Sequence, residues 1–126
     1  MLKRLFSVVL MPLLLAGCTT TTITNLTPQR QTRSTNNVYA VEVALASTQQ
    51  TLRWSSIQPR IVVGSQSYAM RPTPLLTNRW EGFIPVPSTQ DRVSYRYRFD
   101  FDCNAFGKPK ADSAVSPEYT LNIVPE

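Results

Sequence analysis

The 126-residue chain has no histidine, two cysteines and four glycines, and its charged residues make up 17% of the total. Without imidazole there is no Ser-His-Asp or Cys-His nucleophile system, and the commonest zinc ligand is missing. Two cysteines can build neither a tetrahedral metal site nor a disulfide framework. The glycines are scattered at Gly17, Gly64, Gly82 and Gly107, so no glycine loop is available to cradle phosphate. Serine and threonine are abundant, yet none has a candidate base. Carboxylates are present, but a glycosidic acid and base pair needs a cleft that a domain this small seldom encloses. These absences predict a protein that is not an enzyme, with no catalytic residues, no metal site and no cofactor.

What is present is segmented. Met1-Leu2-Lys3-Arg4 carries two positive charges, and Leu5 to Leu15 is apolar apart from Ser7 and Pro12. That run is shorter than the roughly 20 residues a bilayer span requires. A basic start, a short apolar stretch and small residues at its end describe an export signal. The end is Leu15-Ala16-Gly17-Cys18, which closely resembles the lipobox of bacterial lipoproteins. The resemblance covers the first eighteen positions. It implies removal of a signal peptide over 1–17, a diacylglyceryl group on Cys18 and acylation of the new amino terminus. Two or three acyl chains suffice for stable anchoring. Thr19 follows the cysteine where inner-membrane retention resembles an Asp, so the resemblance favours an outer-membrane destination, facing the periplasm or the surface.

From Thr19 to Asn37, fourteen of nineteen residues are uncharged and polar, and only Ile23 and Leu26 are apolar. Such a segment buries too little to offset its ordering entropy. Residues 18–37 are therefore expected to be a lipidated cysteine and a disordered tether, about 24 Å end to end as a flexible coil. The folded domain is expected over 38–126.

Within 38–126, runs rich in Val, Ile, Tyr, Phe and Trp recur at short intervals with no sustained helical period. Val38 to Ala46 alternates with Tyr39, Val41, Val43 and Leu45 on one face. Thr51 to Trp54 and Arg60 to Gly64 are short strand candidates, and Gln66 to Arg71 pairs with the latter through Gly64-Ser65. Trp80 to Val86 follows. Arg92 to Cys103 alternates throughout, with Val93, Tyr95, Tyr97, Phe99, Phe101 and Cys103 inward. Asn104 to Ser116 reads as a loop, and Glu118 to Val124 as the last strand. About seven strands in 89 residues predict an all-β immunoglobulin- or fibronectin-like sandwich, similar in architecture only. A closed small barrel is the runner-up, and a transthyretin-like sandwich would give the same pattern.

Four groups of residues are candidates for function. Cys103, inward on its strand, reads as a small buried hydrophobe; an intermolecular disulfide and a reactive thiol are its alternatives. Asp100, Asp102 and Asn104 have the spacing that opens a calcium loop, but Ala105 and Ala111 stand where its turn glycine and bidentate carboxylate belong. Arg92, Arg96 and Arg98 share an outer face with those aspartates. They read as edge-protecting charge or as a docking surface for an anionic partner. Trp54, Trp80, Tyr68 and Tyr119 could stack on sugars, with Arg79 and Glu81 flanking Trp80 as polar partners.

Nine basic and eight acidic residues fall in 38–126, so the domain's net charge is +1 and the overall +5 belongs mainly to the signal and tether. Nucleic acid is not an expected partner. The sequence points to an outer-membrane-anchored lipoprotein. Its sandwich would be a structural or protein-interaction module of the cell envelope, or alternatively a surface carbohydrate-binding module using exposed tryptophans.

Overall fold

The computed structural model describes residues 21–47 and 51–125. The expected signal peptide, Cys18, Thr19 and Thr20 lie outside the described residues. Ten strands make up the fold: β1 (Thr21–Asn25), β2 (Arg30–Thr32), β3 (Val38–Ser47), β4 (Leu52–Val63), β5 (Gln66–Ala69), β6 (Arg71–Pro72), β7 (Arg79–Pro85), β8 (Arg92–Ala105), β9 (Lys108–Val115) and β10 (Tyr119–Val124). They form two sheets. One has the order β1-β3-β7-β6, and the other has β2-β10-β8-β4-β5 with β9 also paired to β8. The expected two-sheet sandwich is therefore the observed architecture, and the closed barrel is not.

Alternation sets both inner faces. Tyr39, Val41, Val43 and Leu45 of β3 are buried, as are Tyr95, Tyr97, Phe99, Phe101 and Cys103 of β8. From β7, Trp80 and Ile84 join them, and Leu121 and Ile123 arrive from β10. Trp80 meets Phe99 edge to face, with ring centroids 5.6 Å apart, so the two sheets touch through aromatic rings. Gly82 lies in β7 between Trp80 and Ile84, where a Cβ would stand 2.9 Å from Ile61 Cδ1. A side chain at this position would require the Ile61 end to move aside.

Two irregularities shape the second sheet. β4 is one strand where two short ones are expected, because four residues between Arg53 and Gln58 face the single Phe101 of β8. Ser56 bridges this bulge: its Oγ accepts from the Asp102 N–H at 2.8 Å and donates to the Arg53 carbonyl at 2.6 Å. β9 and β10 run consecutively along the other side of β8. Between them the Tyr97 N–H donates to Ser116 Oγ at 2.8 Å, and the Ser116 N–H donates to the Tyr97 carbonyl at 3.0 Å. A side-chain oxygen thus takes the place of a ladder carbonyl as the acceptor for the Tyr97 N–H where the pairing of β9 ends.

The structure corrects two boundaries. Asn104 to Ser116 is not a loop, since β9 pairs with β8 from Arg98↔Val115 to Ala105↔Lys108. Its sequence KPKADSAV has no apolar face to announce a strand, and its outward residues are mostly exposed. Backbone hydrogen bonds carry it, and its lysines suit an edge.

The second correction concerns the expected tether. Thr21–Thr32 supplies a strand to each sheet, with β1 antiparallel to β3 and β2 parallel to β10. The chain crosses from one sheet to the other at 26–29, where the Leu26 N–H donates to the Glu42 carbonyl and the Asn122 N–H to the Gln29 carbonyl. Side chains lock the crossing. Tyr97 Oη donates to Asn25 Oδ1 at 2.6 Å and lies 3.0 Å from Thr27 Oγ1, while Asn25 Nδ2 donates to Tyr95 Oη at 3.0 Å. Thr27 Oγ1 also accepts from the Glu42 N–H at 2.9 Å. The buried phenols of β8 need partners, and the Asn and Thr of this polar segment provide them. Composition alone cannot reveal this, because the stabilisation comes from hydrogen bonds across about 70 residues of sequence rather than from apolar area.

Burial pushes the Tyr97 hydroxyl well above the ordinary phenol value; the Thr27 hydrogen bond opposes this and Tyr95 adds to it. The unfolded chain therefore releases this proton first as pH rises past about 10. Stability from this group is complete below that pH and falls above it. Urea unfolding from about pH 8 to about pH 11 should show this alkaline decline, and Tyr97→Phe should flatten it. An alkaline limb unchanged by that substitution would contradict the assignment.

Candidate functional site

The outer face of β8 gathers the polar candidates. Arg92, Ser94, Arg96 and Arg98 are exposed, and Asp100 and Asp102 are half-buried. Arg96 Nη2 lies 3.1 Å from Glu118 Oε2, and Arg98 Nε lies 3.2 Å from Asp100 Oδ1. The sequence brings Arg96 and Arg98 together, and the β9–β10 connection adds Glu118. A shallow groove of about 420 Å3 runs between them, with Val62 and Val115 as its apolar lining. Exposed pairs of this kind contribute little to stability. Each guanidinium carries five N–H donors, so both retain donors that a carboxylate, phosphate or hydroxyl could accept. Arg60 of β4, also exposed, stands directly opposite Arg98.

The aromatic candidates separate. Trp80 is only 6% exposed and belongs to the core, so its ring is not available to stack on a sugar. The cause is the alternation of β7, which turns Trp80 and Ile84 inward and leaves Arg79, Glu81 and Phe83 on the other face. Glu81 is taken by an ion pair, its Oε2 3.0 Å from Arg71 Nη2. Trp54 is 43% exposed on the β4 bulge, in the opposite sheet from Trp80. Tyr119 packs against Tyr95 and Tyr97 at centroid distances of 5.9 Å. The expected Arg79-Trp80-Glu81 platform is therefore not assembled.

Cys103 is fully buried opposite Leu52, as its inward position predicts, but it is not a free thiol: it is disulfide-bonded. Disulfide formation suits an oxidising compartment. Cys18, the only other cysteine in the sequence, lies outside the described residues. Asp100, Asp102 and Asn104 lie along β8 rather than in a loop, and Asp100 is paired with Arg98. Among the described residues no group of three His, Cys, Asp or Glu side chains converges on a possible metal site.

Leu75 and Phe106 escape the sequence analysis, although both are fully exposed and both have left-handed backbone angles, φ 66° and φ 53°. The Phe106-Gly107 dipeptide between β8 and β9 was the available signal, since glycine there marks a tight hairpin once β9 is recognised as a strand.

No family model matches the chain, and no curated protein matches it in sequence. Among solved structures, a DUF4785-family protein from Legionella pneumophila shares 12% identity with a TM-score of 0.45, covering 82% of this chain and 28% of its own. Murine CRIg shares 10% identity with a TM-score of 0.42, covering 83% of this chain and 98% of its own. The chain thus spans about 28% of the length of the Legionella protein. The sandwich assignment stands on the strand pairing described above.

Proposed function

We propose that the protein is a lipoprotein of the bacterial outer membrane, anchored through acylated Cys18. Its β-sandwich then serves as a structural or protein-interaction module of the cell envelope. The observation that carries this reading is Leu15-Ala16-Gly17-Cys18 placed directly after a basic start and a short apolar run. The absence of histidine and the ion-paired Arg96 and Arg98 on the outer face of β8 favour a module that binds or scaffolds over one that does chemistry. Anchoring would raise the local concentration of the groove beside Arg96 and Arg98, so that a weak contact with another envelope protein becomes effectively intramolecular. A glycan-binding reading retains only Trp54 as an exposed tryptophan, so it is the weaker of the two.

The anchor is tested by growing cells with labelled palmitate and comparing the full chain with its Cys18→Ser variant. The label should appear on the wild-type protein, and the variant should carry none and leave the membrane fraction. Label retained on the variant, or membrane association unchanged by it, would overturn the proposal.

A further inference from the structure

One end of the sandwich is built as though it meets a surface. The strand pairing places four features there: Thr21 opposite Ser47, the start of β4 at Leu52, the β6–β7 connection at 73–78, and the β8–β9 turn at Phe106-Gly107. The first connection folds back at Thr73, where the Leu76 N–H donates to the Thr73 carbonyl at 3.2 Å. With Pro74 second and Leu75 third at φ 66°, this has the form of a type II turn, whose third position favours glycine. The second turn has positive φ at both Phe106 and Gly107, the form that favours Asn-Gly. In both turns a bulky apolar residue occupies a left-handed position, which costs strain.

Neither residue recovers that cost by packing, for Leu75 and Phe106 are exposed at 102% and 105%. Leu76 and Trp54 add partly exposed apolar surface at the same end. Exposed cations flank the Phe106 turn: Lys108 and Lys110 follow it on β9, and Arg53, opposite Asp102, lies on the neighbouring β4. Asp102 and Asp112, both half-buried, sit no nearer the turn than Arg53 does. Apolar tips rimmed by lysine and arginine complement an anionic lipid surface, where the side chains enter the headgroup boundary and the cations meet phosphate. The direction of the chain agrees. Thr21 is at this end, and Cys18 precedes it by only three positions, a reach of about 10 Å.

We infer that the Leu75 and Phe106 turns form a membrane-docking tip that seats this end of the sandwich on anionic phospholipid. The inference deepens the anchor reading and rests on it for the presence of a nearby bilayer. Its test uses no acyl group. The unacylated chain from Cys18 onward, which carries every described strand of both sheets, is titrated with phosphatidylglycerol-rich vesicles and with pure phosphatidylcholine vesicles. It should bind the former, with a blue shift from Trp54, and bind the latter clearly less. The Leu75→Gly, Phe106→Asn double variant places turn-compatible residues at both sites, so it keeps the fold, as circular dichroism would verify. Its binding to phosphatidylglycerol should fall about tenfold or more. No binding by the unsubstituted chain, equal binding to both lipids, or binding unchanged in the double variant would overturn the inference. Palmitate labelling of wild-type Cys18 reports the anchor separately, so either reading can fail without the other.

Discussion

A chain truncated to begin at Val38 is expected to lose most of its stability. The truncation removes β1, β2 and the Asn25 and Thr27 side chains that satisfy Tyr95 and Tyr97. Both tyrosines are buried, at 2% and 0% exposure. A buried hydroxyl left without its partner costs about 1–3 kcal/mol; Tyr95 loses its partner outright while Tyr97 keeps the Glu42 carbonyl at 3.2 Å, so the hydroxyls cost on the order of 1 to 3 kcal/mol before the lost strand pairing is counted. Against a typical domain stability of about 5–15 kcal/mol, that loss together with both strands is a large share. Thermal unfolding followed by circular dichroism should show Tm lower by at least about 10 °C, or no cooperative transition. An Asn25→Ala, Thr27→Ala variant of the intact chain should show a smaller loss of the same sign. A truncated chain melting within a few degrees of the full one would return the segment to the role of a simple leash.

The second large effect is expected at Phe99. It is fully buried near the middle of β8, between Pro59 on one side and Ala114 on the other, and it is the ring on which Trp80 rests. Phe99→Ala leaves a cavity between the two sheets and should cost about 3–5 kcal/mol. Urea unfolding gives the loss directly. Trp80 supplies a second readout: its fluorescence should shift to the red in the folded variant as the gap admits water, whereas Trp54 is already half exposed and should not respond. A loss under about 1 kcal/mol would mean that the sheets do not bear on one another through this pair.

The parts of this fold that the sequence makes legible are those written in side-chain period. Tyr95, Tyr97, Phe99, Phe101 and Cys103 alternate without a fault, and each is buried where alternation puts it. The same holds for Tyr39, Val41, Val43 and Leu45. What composition misses is structure held by polar groups. β9 has no inward apolar row and persists through its ladder with β8. β1 and β2 lie in a threonine- and asparagine-rich segment whose contribution is to complete buried tyrosines distant in sequence. The candidate site divides along the same line. The side-chain period of β8 puts Arg96 and Arg98 on one outer face, but it cannot show that Glu118 and Asp100 pair with them. Trp80 suggests a sugar platform by residue type, yet the period of β7 sends it into the core.

Docking of Thr21–Thr32 also changes the expected geometry of anchoring. In place of a flexible leash reaching from Cys18 to Val38, only two residues separate Cys18 from the first strand, so an acylated Cys18 would hold the Leu75 and Phe106 end close to the lipid. Cys103 makes the chemistry decidable. A sulfur carrying a diacylglyceryl thioether cannot take part in a disulfide, so a Cys18–Cys103 bond excludes acylation, and in an acylated chain the Cys103 disulfide would have to be made with a thiol of another chain. Intact mass measurement of the protein extracted from membranes tests the central claim. The account predicts a chain beginning at Cys18 whose mass exceeds that of its residues by a diacylglyceryl group and an amide-linked acyl chain. An unacylated chain, short by the hydrogens that a disulfide removes, would contradict it.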